Sequence, residues 1–178
     1  MAGVGVWCGA VAWFAFVRHV RVPLIGLTDL GIHELGHLIF YVVPAGALVT
    51  AIAGSALQVL APSCAAAYFV RRRDLVAFAA CLAWVATNLA DVAVYVADAP
   101  TEQLELLGGE HDWAYILGPE QFDRLDLAGS IATGLRFTGL VLLLGAVAVL
   151  LDVARSVRSS SRAKRFRGQA LSASPPRG

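Results

Sequence analysis

Apolar residues in this chain fall into five long runs parted by short polar stretches. Runs of about twenty residues are what a helix needs to cross the hydrocarbon core of a bilayer, where every backbone N–H and C=O must be satisfied within the segment. The pattern therefore predicts an all-α, polytopic membrane protein with five transmembrane helices. The first runs from about Val4 to Val17, is short for a full span, and closes on Arg18, His19 and Arg21. The second, Leu24 to Val43, follows Pro23, which suits a first helical turn, and ends before Pro44. The third extends from about Gly46 to Val70, contains Ser55, Gln58 and Pro62, and meets Arg71-Arg72-Arg73. The fourth runs from about Leu75 to Ala97, ahead of Pro100, and the fifth from about Leu127 to Leu151. Between the last two lies a polar connection, Asp98 to about Leu125, with seven carboxylates (Asp98, Glu102, Glu105, Glu110, Asp112, Glu120 and Asp123) against Arg124 alone.

The segment from Arg155 carries Arg158, Arg162, Lys164, Arg165 and Arg167 among serines and ends near Pro175-Pro176. It lacks the apolar residues to build a core, so a disordered basic tail over 155–178 is expected behind a membrane domain over 1–154. Composition agrees with membrane residence: 58% of residues are hydrophobic and 15% charged, and mean hydropathy is +0.68. The net charge of +1 conceals a segregation by loop. If five helices alternate, Arg18/Arg21, Arg71 to Arg73 and the tail share one side, which the distribution of basic residues makes cytoplasmic. The N-terminus and the acidic connection are then outside. No basic stretch precedes the first run, so it reads as a retained helix rather than a cleaved signal. The tail would suit anionic lipid; no nucleic-acid partner is expected. Cys8, Cys64 and Cys81, odd in number and without metal-like spacing, read as small buried hydrophobes.

Against this background the second run carries an anomaly, His33-Glu34-Leu35-Gly36-His37. Residues i and i+4 share a helix face, so two imidazoles can address one Zn²⁺ while Glu34 reaches a water on its open side. Ionisable groups at membrane depth are expensive unless paired, liganded or hydrated. A third protein ligand is still required. One turn before His33, Asp29 could orient its ring. Gly31 and Gly36 would let a neighbouring helix approach. Ser55 and Gln58 share a face of the third helix, for an interhelical hydrogen bond or for substrate backbone. Trp84, Thr87/Asn88, Asp91, Tyr95 and Asp98 recur at spacings of three and four, forming a polar stripe that must face the bundle interior or a hydrated cavity. Counting residues from the helix ends puts Asn88 and Asp91 level with His37. In the connection, Gly108-Gly109 precede His111-Asp112-Trp113, a pair that could fold back to the metal with Trp113 as its anchor. Arg136 in the fifth helix calls for a counter-charge from Asp91, Asp112 or substrate.

A membrane-embedded HELGH resembles the site-2 protease group of intramembrane zinc metalloproteases. The resemblance covers helices two to four and carries over onto His33, Glu34 and His37. It implies a third ligand from an Asp in a later membrane helix, but the group's later Asn, Pro-rich turn and Leu-Asp-Gly are absent, and Asn88 with Asp91 or Asp98 is only a loose echo. The chain is also similar to a set of small bacterial membrane proteins that share a HExGH helix, a Tyr-x-x-Asp-Ala ending (Tyr95 to Ala99) and a later His-Asp-Trp (His111 to Trp113). That likeness spans most of the chain, implies a bacterial inner or plasma membrane, and points to His111 or Asp112 as the third ligand, where residue counting favours Asp91. The resulting expectation is a zinc metalloprotease acting on membrane protein segments or peptides, with Glu34 as general base. The rival reading is a non-catalytic metal-binding protein or an ion channel or transporter subunit.

Overall fold

The computed structural model describes residues 1–43, 45–106 and 110–172, with side chains through Ser160. Pro44, the Gly108-Gly109 pair, Pro175-Pro176 and the side chains of Arg162, Lys164, Arg165 and Arg167 lie outside the described residues. Among the described residues six α-helices follow one another: α1 (Ala2–Val11), α2 (Ile25–Val42), α3 (Ala47–Arg71), α4 (Leu75–Asp98), α5 (Asp112–Leu117) and α6 (Ala128–Ser172). A π-helical stretch, Ala12–Val17, prolongs α1, and a 3₁₀ turn, Leu125–Leu127, leads into α6. The same residues include no strand. The apolar runs and the helices coincide within a residue or two except in the tail. There α6 continues helically to Ser172, through much of the stretch expected to be disordered. The good helix formers in that segment can extend a helix already nucleated upstream.

Three helices are long and apolar enough to cross a membrane: Ala47–Arg71, Leu75–Asp98 and the Leu125–Ser160 stretch. The pair expected as the first two spans falls short of that standard. Ala2–Val17 is too short, and the 18 residues of α2 include Asp29, His33, Glu34 and His37.

Helix α4 is the hub, because it offers two different faces. Ala79, Ala83, Ala86 and Ala90 form a small-residue stripe that admits Cys8, Val11 and Ala15 of the α1 segment and Leu143 and Ala146 of α6. Further along, Val92, Ala93 and Val96 pack with Ile116 and Leu117 of α5 and Ala128 and Ala132 of α6. The start of α4 is capped by Asp74, whose carboxylate accepts from the Ala77 N–H at 3.0 Å. Cys8 and Cys81 are buried as expected, but Cys64 is exposed; it faces outward on α3, where an apolar residue can meet lipid as well as core.

The direction of α1 departs from the expected alternation. Trp7 donates to the Ala80 carbonyl at 3.1 Å, Phe16 and Leu89 both border Gly139, and Arg21 pairs with Asp91 at 2.8 Å. Rising numbers meet rising numbers, so the α1 segment runs parallel to α4. Helix α2 keeps that direction: Asp29 is level with Trp84 and Asn88, and His33 with Tyr95. Both segments thus run in the direction of α4, and α3 returns antiparallel to α2. The break, residues 18–24, holds two non-glycine residues with positive φ, His19 (52°) and Leu24 (68°). Arg18 and Arg21 sit there rather than at the end shared by Arg71 to Arg73. Hydropathy marks where an apolar run stops; it does not say whether the chain then turns round.

Candidate metal centre

The i, i+4 spacing on α2 does what helix geometry requires. The His33 and His37 rings lie edge to face with centroids 4.8 Å apart. Each ring is held by its Nδ1. His37 Nδ1 lies 2.8 Å from the Thr50 carbonyl, and a carbonyl only accepts, so Nδ1 carries the proton. His33 Nδ1 lies 3.1 Å from Gln58 Oε1. The two Nε2 atoms then converge on Asp112 Oδ2, at 3.3 Å from His33 and 3.2 Å from His37. One ligand atom from each of the three residues falls within 4.8 Å of the others, a group that could hold a metal ion.

Asp112 reaches this point because its turn is clasped from three directions. Tyr95 donates to Asp112 Oδ2 at 3.1 Å, and its hydroxyl accepts from the Asp112 N–H at 3.0 Å. Next door, Trp113 Nε1 donates to Ser55 Oγ at 3.1 Å, tying the turn to α3. On the other side, His111 Nδ1 accepts from the Ala114 N–H at 3.2 Å and caps α5. Burial raises the Asp112 carboxyl, but the adjoining His33 and His37 rings lower it by more, which keeps it ionised. An ionised carboxylate and two imidazole Nε2 atoms are all acceptors once Nδ1 is protonated. Their convergence calls for a shared cation, a proton or a metal ion.

The space around the nitrogens is kept open by a residue that the sequence does not single out. A Cβ on Gly54 would lie 2.5 Å from His37 Nε2 and 2.6 Å from His33 Nε2. Gly36 serves the same junction from α2, since a Cβ there would strike the Ala53 carbonyl and lie 2.9 Å from the Gly54 Cα. Helices α2 and α3 therefore touch through backbone beside the site, as expected of Gly36. Gly31 has open space instead and brings no neighbour closer.

The other residues expected at the site form a surround. Glu34 is exposed and shares with His33, His37, Gln58, Asp91, Tyr95 and Asp112 the wall of a cavity of about 660 Å³. Asp29 is buried but does not orient His33; it accepts from Trp84 at 2.7 Å and Asn88 at 3.4 Å, and Gln58 takes the place expected for it. Asp91 meets Arg21 at 2.8 Å and Gln58 at 3.0 Å, so it stands behind His33 rather than within the converging group. His111 also lies outside the group. Its Nε2 is buried without a hydrogen bond, though 3.4 Å from Asp98 Oδ2; the atoms are at ion-pair distance without hydrogen-bond alignment. Asp98 accepts from Thr101 and from the Gln103 and Leu104 N–H groups, closing the loop after α4. Among the described residues Asp91 is taken by Arg21 and Asp112 by the imidazoles, so neither supplies the counter-charge expected for Arg136. Comparison with protein family models, with curated proteins and with solved structures returns no match for this chain.

Proposed function

We propose that this chain is a membrane-embedded zinc peptidase, with His33, His37 and Asp112 as ligands and Glu34 as general base. The observation that carries the reading is the convergence of two imidazole nitrogens and one carboxylate oxygen with both Nδ1 atoms already engaged. Donor atoms bound about 2.0–2.2 Å from a tetrahedral zinc stand roughly 3.3–3.6 Å apart, close to the His–Asp separations of 3.2 and 3.3 Å. Three protein ligands with one open position is the pattern of a catalytic rather than a structural zinc site. Bound there, zinc supplies a Lewis acid for a peptide carbonyl and makes a coordinated water more acidic.

The remaining chemistry belongs to the chain. Glu34 accepts a proton from the attacking water and returns it to the leaving amine. Tyr95 and the imidazole partners hold the ligand atoms in place, which limits reorganisation during the reaction. The cavity lies in the range of pockets that take small ligands or short extended segments, and membrane protein segments or peptides are the proposed substrates. The fourth pass of the bundle is supplied jointly by α1 and α2. Arg71 to Arg73, the basic end of α6 and the N-terminus lie on the cytoplasmic side, with anionic lipid beside the basic residues.

Glu34 separates this proposal from a metal-binding protein without catalysis, which has no use for a base. Protein reconstituted with zinc should cut members of a mixed peptide library in detergent, followed by mass spectrometry. Glu34→Gln should retain the metal and lose at least ~10²-fold in rate, the usual weight of a general base. Equal cleavage by Glu34→Gln, or none by the zinc-loaded wild type, would contradict the proposal.

A further inference from the structure

His33 stands at the end of a chain of hydrogen bonds that begins at the break between α1 and α2. Arg21 Nε donates to Asp91 Oδ1 at 2.8 Å, Gln58 Nε2 donates to Asp91 Oδ2 at 3.0 Å, and Gln58 Oε1 faces His33 Nδ1 at 3.1 Å. The direction of this chain follows from what each group can do. A carboxylate paired with a guanidinium only accepts. Gln58 must therefore turn its NH₂ to Asp91 and its carbonyl to His33. A carbonyl only accepts, so His33 must carry a proton on Nδ1, which leaves Nε2 as the atom turned to Asp112 and His37, where the facing acceptors call for a shared proton or a metal ion.

Packing supports the same chain. Gly26 opens α2 where a Cβ would lie 2.9 Å from Arg21 Cβ, so only glycine lets the arginine stem cross to α4. Gln58 is 3% exposed, and both ends of its amide are taken by protein partners. We propose that Arg21, Asp91 and Gln58 are positioning residues that fix the His33 tautomer, making the helix break a built part of the site. The consequence for metal affinity rests on the zinc reading; the tautomer itself does not.

The test is ¹⁵N NMR of histidine-labelled, metal-free protein in detergent, held near pH 8 so that ordinary imidazoles are neutral. The His33 signals are assigned by difference against His33→Ala, and zinc affinity is measured in parallel by chelator competition. Wild type should show His33 protonated on Nδ1. Asp91→Asn allows the Gln58 amide to turn over, so the Nε2-protonated form should appear and zinc affinity fall ~10–100-fold, the usual cost of losing a ligand's partner. The double variant Asp91→Asn with Gln58→Glu reverses the roles: the introduced amide donates to the introduced carboxylate, which in turn accepts from His33. It should restore the Nδ1 form and most of the affinity. Gln58→Met leaves the Arg21–Asp91 pair intact and should lose the tautomer lock without it, which decides the matter if Asp91→Asn fails to fold.

An unchanged tautomer in Asp91→Asn or in Gln58→Met overturns the proposal. So does a double variant no better than the single, which would mark a merely structural role. A responsive tautomer in protein that binds no zinc would remove the metal reading alone, and bound zinc with an unresponsive tautomer would remove the relay alone.

Discussion

Gly54 has no side-chain chemistry, yet two imidazole nitrogens point at the space beside its Cα. Alanine is the better helix former by about 1 kcal/mol, so Gly54→Ala would be expected to strengthen α3 if nothing lay against it. With Nε2 atoms 2.5 and 2.6 Å from the new methyl, we predict that zinc affinity falls at least ~10-fold while thermal unfolding of the metal-free protein shifts little. Isothermal titration and a melting curve on the same preparation test this; unchanged affinity would contradict it. The other residues differ in how visible they are from sequence. His33, Glu34 and His37 follow from spacing alone, because helix geometry turns i, i+4 into a shared face. Asp112 is one of several candidates, since no periodicity says how a loop folds back. Asp91 falls at a sensible depth, but depth does not distinguish a ligand from the residue behind one. Gly54 is invisible, because a glycine in an alanine-rich helix reads as packing.

At the scale of elements, hydropathy finds the ends of four helices within a residue or two and misses the direction of the first. Arg18, His19 and Arg21 look like the end of a span. A break inside a pass looks the same in sequence, because the charge that compensates Arg21 comes from Asp91, far away along the chain. Non-helical backbone at such a depth is tolerated where protein or a hydrated cavity covers it, and His19 and Arg21 line the cavity. The α2–α3 junction also rests on close approach, with the Ala53 carbonyl and the Gly54 Cα against Gly36. Gly36→Ala should therefore push two backbones apart. We predict a loss of about 1–3 kcal/mol, the cost of overpacking a tight contact, and weaker metal binding because Gly54 moves with α3. A Gly31→Ala control has open space and should leave metal binding unchanged and stability equal or higher by up to about 1 kcal/mol. Denaturant unfolding of the two variants in the same detergent provides the comparison; equal stability would show that the junction is loose.

For the whole molecule, the parallel course of α1, α2 and α4 puts the N-terminus at the same end as Arg71 to Arg73 and the far end of α6. Alternating five spans would place it opposite. A reporter fused ahead of Met1 should therefore share its side with one fused after Arg167, and one inserted at Glu105 should report the other side; opposite readings for the two ends would restore the alternating arrangement. What organises the molecule in this proposal is the meeting of α2, α3, α4 and the start of α5 at one candidate cation site. The metal content of purified protein tests that most directly. Wild type should carry about one zinc per chain, the stoichiometry of a single three-ligand site, and His33→Ala, His37→Ala and Asp112→Ala should each lose it, while His111→Ala and Asp29→Ala keep it. Full occupancy in the Asp112→Ala protein, or none in the wild type grown with zinc, would contradict a site built on these three ligands.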